Sequence, residues 1–178
     1  MRRRLTGVLC AAVMALAGTL LATASPAVAD EPSQTGPYLI GDPAGEQFAF
    51  VGIFFLDNRV LMRSPVEPSH PYYLGQQWYI RDAGSGQVNI VNAREPFPNA
   101  ELCMLPATNP GATHYVHGGL CSGAPWEFWT IEPVNGGARV ISELTGTCLT
   151  LPSSPWDNLL RMEPCGGSDQ VFVFSPVE

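Results

Sequence analysis

The sequence predicts an all-β chain, closed into a pseudo-threefold barrel of three repeats with about four short strands each. Three observations predict it. Glycine and proline occur 18 and 17 times along the chain, a spacing that breaks helices. Between them lie short runs rich in β-branched and aromatic residues, and no stretch of 11 or more residues carries a helical apolar stripe. A third signal is internal repetition: a polar residue, a spacer and an aromatic recur as Gln76-Gln77-Trp78, Glu127-Phe128-Trp129 and Gln170-Val171-Phe172, the aromatics 51 and then 43 residues apart. One such unit cannot bury its apolar face alone. Three can close on one another, with these aromatics in a shared core.

In chain order, residues 1–29 read as a secretory signal peptide. A basic "MRRR" precedes an apolar Ala/Leu-rich stretch, and Ala27-Val28-Ala29 fits the small-x-small cleavage rule. Cleavage there leaves residues 30–178 as a single secreted domain, large enough to bury its own core. That domain keeps six arginines, no lysine and sixteen carboxylates, a formal charge of −10. Such an acidic chain is not expected to bind nucleic acid or an anionic membrane by charge. We expect a monomer with no cofactor.

The first unit runs through the strand signals "YLI", "FAFVG" and "VLM" to "QQWYI". Asp57 and Asn58 supply turn chemistry between the second and third of these. "QVNIV" opens the second unit, which passes through "LCMLP" and "GLCSG" to "FWTI". "ARVIS" opens the third, and "TCLTLP" and "EPCGG" lead to "QVFVF". "LMRSPV" holds the corresponding place in unit one without a cysteine.

Once Cys10 is removed, four cysteines remain, an even number suited to disulfides in an exported chain. Of the three possible pairings, Cys103–Cys121 and Cys148–Cys165 are local and close loops of nearly equal length. No C-x-x-C occurs, and His70, His114 and His117 lack companions at zinc spacing, so no metal site is expected. His114 and His117 read as plain surface residues of a Gly-rich loop. No nucleophile, base or paired-carboxylate spacing singles out a catalytic site, so the chain does not read as an enzyme.

The three aromatic-bearing units resemble the β-trefoil fold over residues 36–178. Within that fold two families offer different functions. Gly36-Pro37-Tyr38-Leu39-Ile40, then Val51-Gly52, then an arginine-bearing loop and the strand Gln77-Trp78-Tyr79-Ile80 resemble the fungal cospin-type serine protease inhibitors. That resemblance implies a rigid loop presented to a trypsin-like protease. Asp57 and Asn58 would hold the turn, Arg59 would enter the specificity pocket, and Val60 would stand on the leaving side of the bond. Arg94, in a Pro-rich stretch at the junction of units one and two, is the second candidate. Arg63 is set aside, because "MRSPV" reads as part of a strand that would hide it.

The alternative is a ricin-type carbohydrate-binding module, with a polysaccharide as partner. Unit three, "GTCLTLPSSPWDNLLRMEPCGGSDQVF", resembles that family in its cysteine spacing and its closing Q-x-aromatic. Trp156, Asp157 and Asn158 supply a stacking ring and polar partners, or simply a turn. Where the family places a sugar-anchoring aspartate, this chain has Thr150 in one unit and Met104 or Leu105 in the other.

Overall fold

A computed structural model describes residues 34–52, 58–106, 115–154 and 157–177. The proposed signal peptide, Asp57, His114 and Trp156 lie outside these residues. Twelve strands and three short 3-10 turns make up the described secondary structure.

Each repeat supplies four strands. Unit one has β1 (Gln34–Gly41), β2 (Phe48–Val51), β3 (Val60–Arg63) and β4 (Gln77–Gly84). Unit two has β5 (Gln87–Phe97), β6 (Ala100–Leu105), β7 (His117–Leu120) and β8 (Trp129–Val134). Unit three has β9 (Gly137–Ser142), β10 (Cys148–Thr150), β11 (Arg161–Glu163) and β12 (Val173–Pro176).

The first and fourth strands of the units form a closed ring. β1 pairs antiparallel with β4, β4 with β5, β5 with β8, and β8 with β9. The ring closes through reciprocal 2.8 Å backbone hydrogen bonds between Ala138 of β9 and Phe172, just before β12, and β12 pairs back onto β1. The inner strands form three hairpins, β2–β3, β6–β7 and β10–β11. Six ring strands and three hairpins in threefold arrangement are the β-trefoil architecture.

The hairpins meet on the pseudo-threefold axis in a cyclic set of hydrogen bonds. Val60 N–H donates to the Val116 carbonyl at 2.8 Å, Val116 to Leu160 at 3.0 Å, and Leu160 back to Val60 at 3.0 Å. Bridges flank this triangle at Arg59–His117, Tyr115–Arg161 and Leu61–Leu159. All three central residues are fully buried. They close one end of a core built from Ile40, Trp78, Ile90, Trp129, Val140, Leu149 and Phe172.

The repeated aromatics are the core, as their period implies. The Trp78 indole donates to the Ala49 carbonyl and the Trp129 indole to that of Met104, both at 2.9 Å. Phe172 takes the third place without an N–H to satisfy. The polar residue two positions earlier does a separate job that the sequence pattern did not disclose. Gln76, Glu127 and Gln170 each end a 3-10 turn (Tyr73–Gln76, Pro125–Glu127, Ser168–Gln170), and each is almost completely buried. Their side chains bind the loop arriving from the hairpin. Gln76 accepts from Val66 N and donates to Ser64 O, both at 2.9 Å. Glu127 accepts from Ser122 N at 2.7 Å and Gly123 N at 2.9 Å. Gln170 accepts from Gly166 N and Gly167 N at 2.8 and 2.9 Å and donates to Pro164 O.

Both disulfides form as expected, Cys103–Cys121 across β6–β7 and Cys148–Cys165 across β10–β11. The second cysteine stands five residues beyond Val116 and Leu160 in its unit, and Pro65 holds that place in unit one. Gly36 explains the break in β1. Its φ is +117°, and a Cβ there would stand 2.9 Å from the Trp78 carbonyl, so the strand bulges at this point and no larger residue fits.

Candidate functional site

A groove of about 760 Å³ lies between units one and three. One wall carries Asp42, Gln47, Ser64, His70 and Tyr72; the other carries Pro152, Ser153, Ser154 and Asn158. The wall of unit one is fixed locally. Asp42 Oδ1 accepts from the amides of Glu46 and Gln47 at 2.9 and 3.2 Å, which folds the β1–β2 turn against itself. His70 Nδ1 accepts from Tyr72 N at 3.1 Å, and the Tyr72 ring meets Phe50 edge-on at 5.8 Å. The opposite wall is a turn in which Asp157 N donates to Ser154 O at 3.1 Å, while Leu159 N donates to Asp157 Oδ1 at 3.2 Å. The backbone carbonyl of Asn158 accepts from Met62 N at 2.6 Å, which ties the two walls together at the groove floor.

A second, smaller cleft of about 350 Å³ continues from it, lined by Phe50, Gly52, Arg59, Leu61, Arg63, Asn158 and Leu159. Arg63 and Asn158 border both depressions. The residues singled out in the two competing sequence readings, Arg59 and Asn158, therefore meet at one place on the surface.

Beside it lies a charged cluster on the pseudo-threefold axis. The guanidinium carbons of Arg59 and Arg161 stand 5.8 and 5.5 Å from the centre of the Tyr115 ring. Arg161 also forms an ion pair with Asp157. Burial pushes the Asp157 carboxyl up, but the Leu159 amide, the Arg161 guanidinium and the charge of Arg59 together outweigh it and hold it below the usual range. On the next strand, burial pushes the His117 imidazole below its ordinary value, against a weaker opposing hydrogen bond to the Tyr115 backbone.

Several expectations change here. Asn58 and Arg59 are exposed, as a contact loop requires. Val60 is fully buried in the axial triangle, because strand alternation turns every second side chain of β3 inward. It has no surface to offer a protease. Arg94 is part of β5 and not of a Pro-rich loop. It is half-buried, its guanidinium lies 5.7 Å from the Tyr72 ring centre, and its Nη1 is buried without a hydrogen-bond partner among the described residues. Arg63 does end a strand, yet it is exposed, with its guanidinium 5.2 Å from the Phe50 ring centre. The strand ends at Arg63 with its side chain pointing outward. His117 is a half-buried strand residue in β7, not a surface residue of a loop.

Thr150, at the family's sugar-anchoring position, is buried. Its hydroxyl donates to Cys148 O and accepts from Gln170 Nε2. That position is committed to the core and offers nothing to a sugar. Asp157 is likewise spent on Arg161, whereas the Asn158 side chain remains exposed. The walls contributed by unit one, Gln47, Ser64, His70 and Tyr72, were missed by sequence reasoning. They are scattered over 26 positions and only hairpin packing brings them together.

No protein-family model matches the chain, and no curated protein matches it in sequence. Solved structures do match in shape. The chain is similar to ThreeFoil, a designed threefold symmetric protein, at a TM-score of 0.63 and 15% identity, covering 80% of this chain and 100% of that one. It is similar to the Haemophilus ducreyi cytolethal distending toxin at a TM-score of 0.63 and 15% identity, covering 79% and 84%. It also resembles the Polyporus squamosus lectin, solved with a Neu5Acα2-6Galβ1-4GlcNAc epitope, at a TM-score of 0.61 and 20% identity, covering 78% of this chain and 48% of that one. At these identities the likeness shows the β-trefoil fold, and function has to be argued from the site.

Proposed function

We propose that the protein is a secreted carbohydrate-binding module and that the groove between units one and three receives the glycan. The observation that carries this reading is the make-up of the groove. Amide, hydroxyl and imidazole groups of Gln47, Ser64, His70, Ser153 and Asn158 surround an open trough beside the Tyr72 ring. Sugars present hydroxyls in a plane with an apolar C–H face, and sites of this mixed kind hold them by hydrogen bonds and ring contact. The lectin among the similar folds supports the reading, and two disulfides are compatible with an extracellular protein. The groove takes in Asn158 of the ricin-type reading but not Thr150, which is locked into the core.

The test is retention of the mature chain on immobilised polysaccharides. Gln47→Ala and Asn158→Ala remove exposed amides from opposite walls and should each weaken retention about two- to tenfold, the worth of one neutral hydrogen bond. Unchanged retention in both variants would remove the groove from consideration.

A second reading is protease inhibition through Arg59, supported by the exposure of Asn58 and Arg59. It loses Val60 to the core and Arg94 to a strand. Trypsin, chymotrypsin and subtilisin assayed in parallel decide it. Inhibition of trypsin that is abolished by Arg59→Glu, with no retention on polysaccharides, would reverse the order of the two readings.

A further inference from the structure

Unit one departs from the other two at the loop that its buried clasp holds. Gln76 reaches back 10 residues to the Val66 amide, whereas Glu127 reaches 5 to Ser122 and Gln170 reaches 4 to Gly166. The extra chain includes His70 and Tyr72, which line the groove. Its sequence explains its shape. In His70-Pro71-Tyr72-Tyr73 the Tyr73 amide donates to the His70 carbonyl at 2.9 Å, and Tyr72 has φ −95° and ψ 1°. These are the marks of a type I turn, with proline at the second position, where its fixed φ fits. Such turns favour Asp or Asn at the first position, because a short side-chain acceptor can take the amide two residues on. Here His70 takes that role, its Nδ1 accepting from Tyr72 N at 3.1 Å. Pro71 between them has no N–H to compete.

We propose that His70 is a positioning residue of the groove: neutral, it holds the turn that forms part of one wall, and acidification releases that turn and weakens glycan binding. The proposal rests on the glycan-binding reading above and adds its regulation by pH. A neutral imidazole whose Nδ1 accepts a hydrogen bond carries its own hydrogen on Nε2. Acid then adds a proton at Nδ1, the nitrogen with the lone pair, and turns it into a donor facing the Tyr72 N–H. Asparagine would supply the same acceptor at every pH, whereas histidine makes the bond conditional between about pH 8 and 5. Among the described residues no carboxylate forms an ion pair with His70 that would hold a charged ring in place. The charged and titratable groups around it are few. Glu67 and Tyr73 belong to its own loop, and the Tyr72 ring centre lies 5.1 Å from that of His70. Asp42 and Arg63 line the same groove, and Arg94 lies 5.7 Å from the Tyr72 ring centre. Asp42 Oδ1 is engaged by the Glu46 and Gln47 amides.

The experiment measures retention of the mature chain on galactan, mannan and cellulose at about pH 7.5 and about pH 5. These polymers are neutral, so any pH dependence belongs to the protein. On a polymer that it binds, the parent should be held about three- to tenfold more strongly at the higher pH, the worth of one hydrogen bond. His70→Asn offers Oδ1 as an acceptor that does not titrate, and should bring that ratio to near one. His70→Ala offers no acceptor. It should also lose the pH dependence, and at the higher pH it should bind more weakly than His70→Asn. Thermal unfolding at both pH values confirms that each protein is folded. A parent ratio near one overturns the proposal and leaves the groove as a glycan site. The proposal also falls if His70→Asn keeps the parent's ratio, which would assign the effect to another group such as His117, or if it binds no better than His70→Ala. A parent retained on none of the three polymers at the higher pH removes the glycan reading, and this proposal with it.

Discussion

Glu127 places a carboxylate in the interior with only 1% of its surface exposed, and the amides of Ser122 and Gly123 converge on it. Removing the side chain strands those donors. Glu127→Ala should cost about 2–4 kcal/mol and lower the melting temperature by about 5–15 °C in a domain of this size. Glu127→Gln keeps an acceptor and should cost less, which chemical denaturation of the two variants will show. Asp157 and His117 give stability a pH dependence of defined sign. Both groups are held below their ordinary values in the fold, so on acidification the unfolded chain takes up protons first. The His117 contribution is fully present above about pH 6.5 and falls as pH drops through its folded value; the Asp157 contribution does the same below about pH 4. His117→Gln should flatten the first part of a stability–pH curve and Asp157→Asn the second. A curve for His117→Gln that matches the parent between pH 7 and 5 would show that the imidazole is not shielded.

The hairpins show which features a linear sequence carries at the scale of one element. Cys103–Cys121 and Cys148–Cys165 each span one hairpin, with separations of 18 and 17 residues. Replacing both members of the second pair with serine should cost about 3 kcal/mol by the chain-entropy argument. Non-reducing peptide mapping should recover only these two pairs, and a peptide joining Cys103 to Cys165 would contradict the equivalence of the units. These pairings were legible because they are local and repeated. The same holds for Trp78, Trp129 and Phe172, whose period survives in the sequence. The 3-10 turns were not legible, since turns of three or four residues leave no periodic signal. The fate of Arg94 was obscured by the prolines around it, which suggested a loop, although an 11-residue strand carries it past Pro96. Val60 and Arg63 show the inverse problem. Their place on β3 was evident, but inward or outward direction depends on register, and a shift of one residue exchanges the faces.

At the scale of the whole molecule, the axial triangle of Val60, Val116 and Leu160 links all three units through their backbones. Because opening it separates every hairpin from its neighbours, the three amides should exchange hydrogen only through global unfolding, with equal free energies of exchange. An amide of this triangle that exchanges markedly faster than the other two would show that one unit opens alone. The candidate site was the least legible part of the protein, since its two walls come from distant parts of the chain, Asp42, Gln47, Ser64, His70 and Tyr72 on one side and Pro152, Ser153, Ser154 and Asn158 on the other. The central claim is that this interunit groove is the binding surface. It is tested most directly by an amide NMR titration of the mature domain with an oligosaccharide of the polysaccharide that the retention assay selects. The account predicts saturable shifts concentrated at Gln47, Ser64, Tyr72, Ser153 and Asn158. Shifts confined to another face, for example around the exposed Trp126 and Leu120, or no saturable shifts at all, would contradict it.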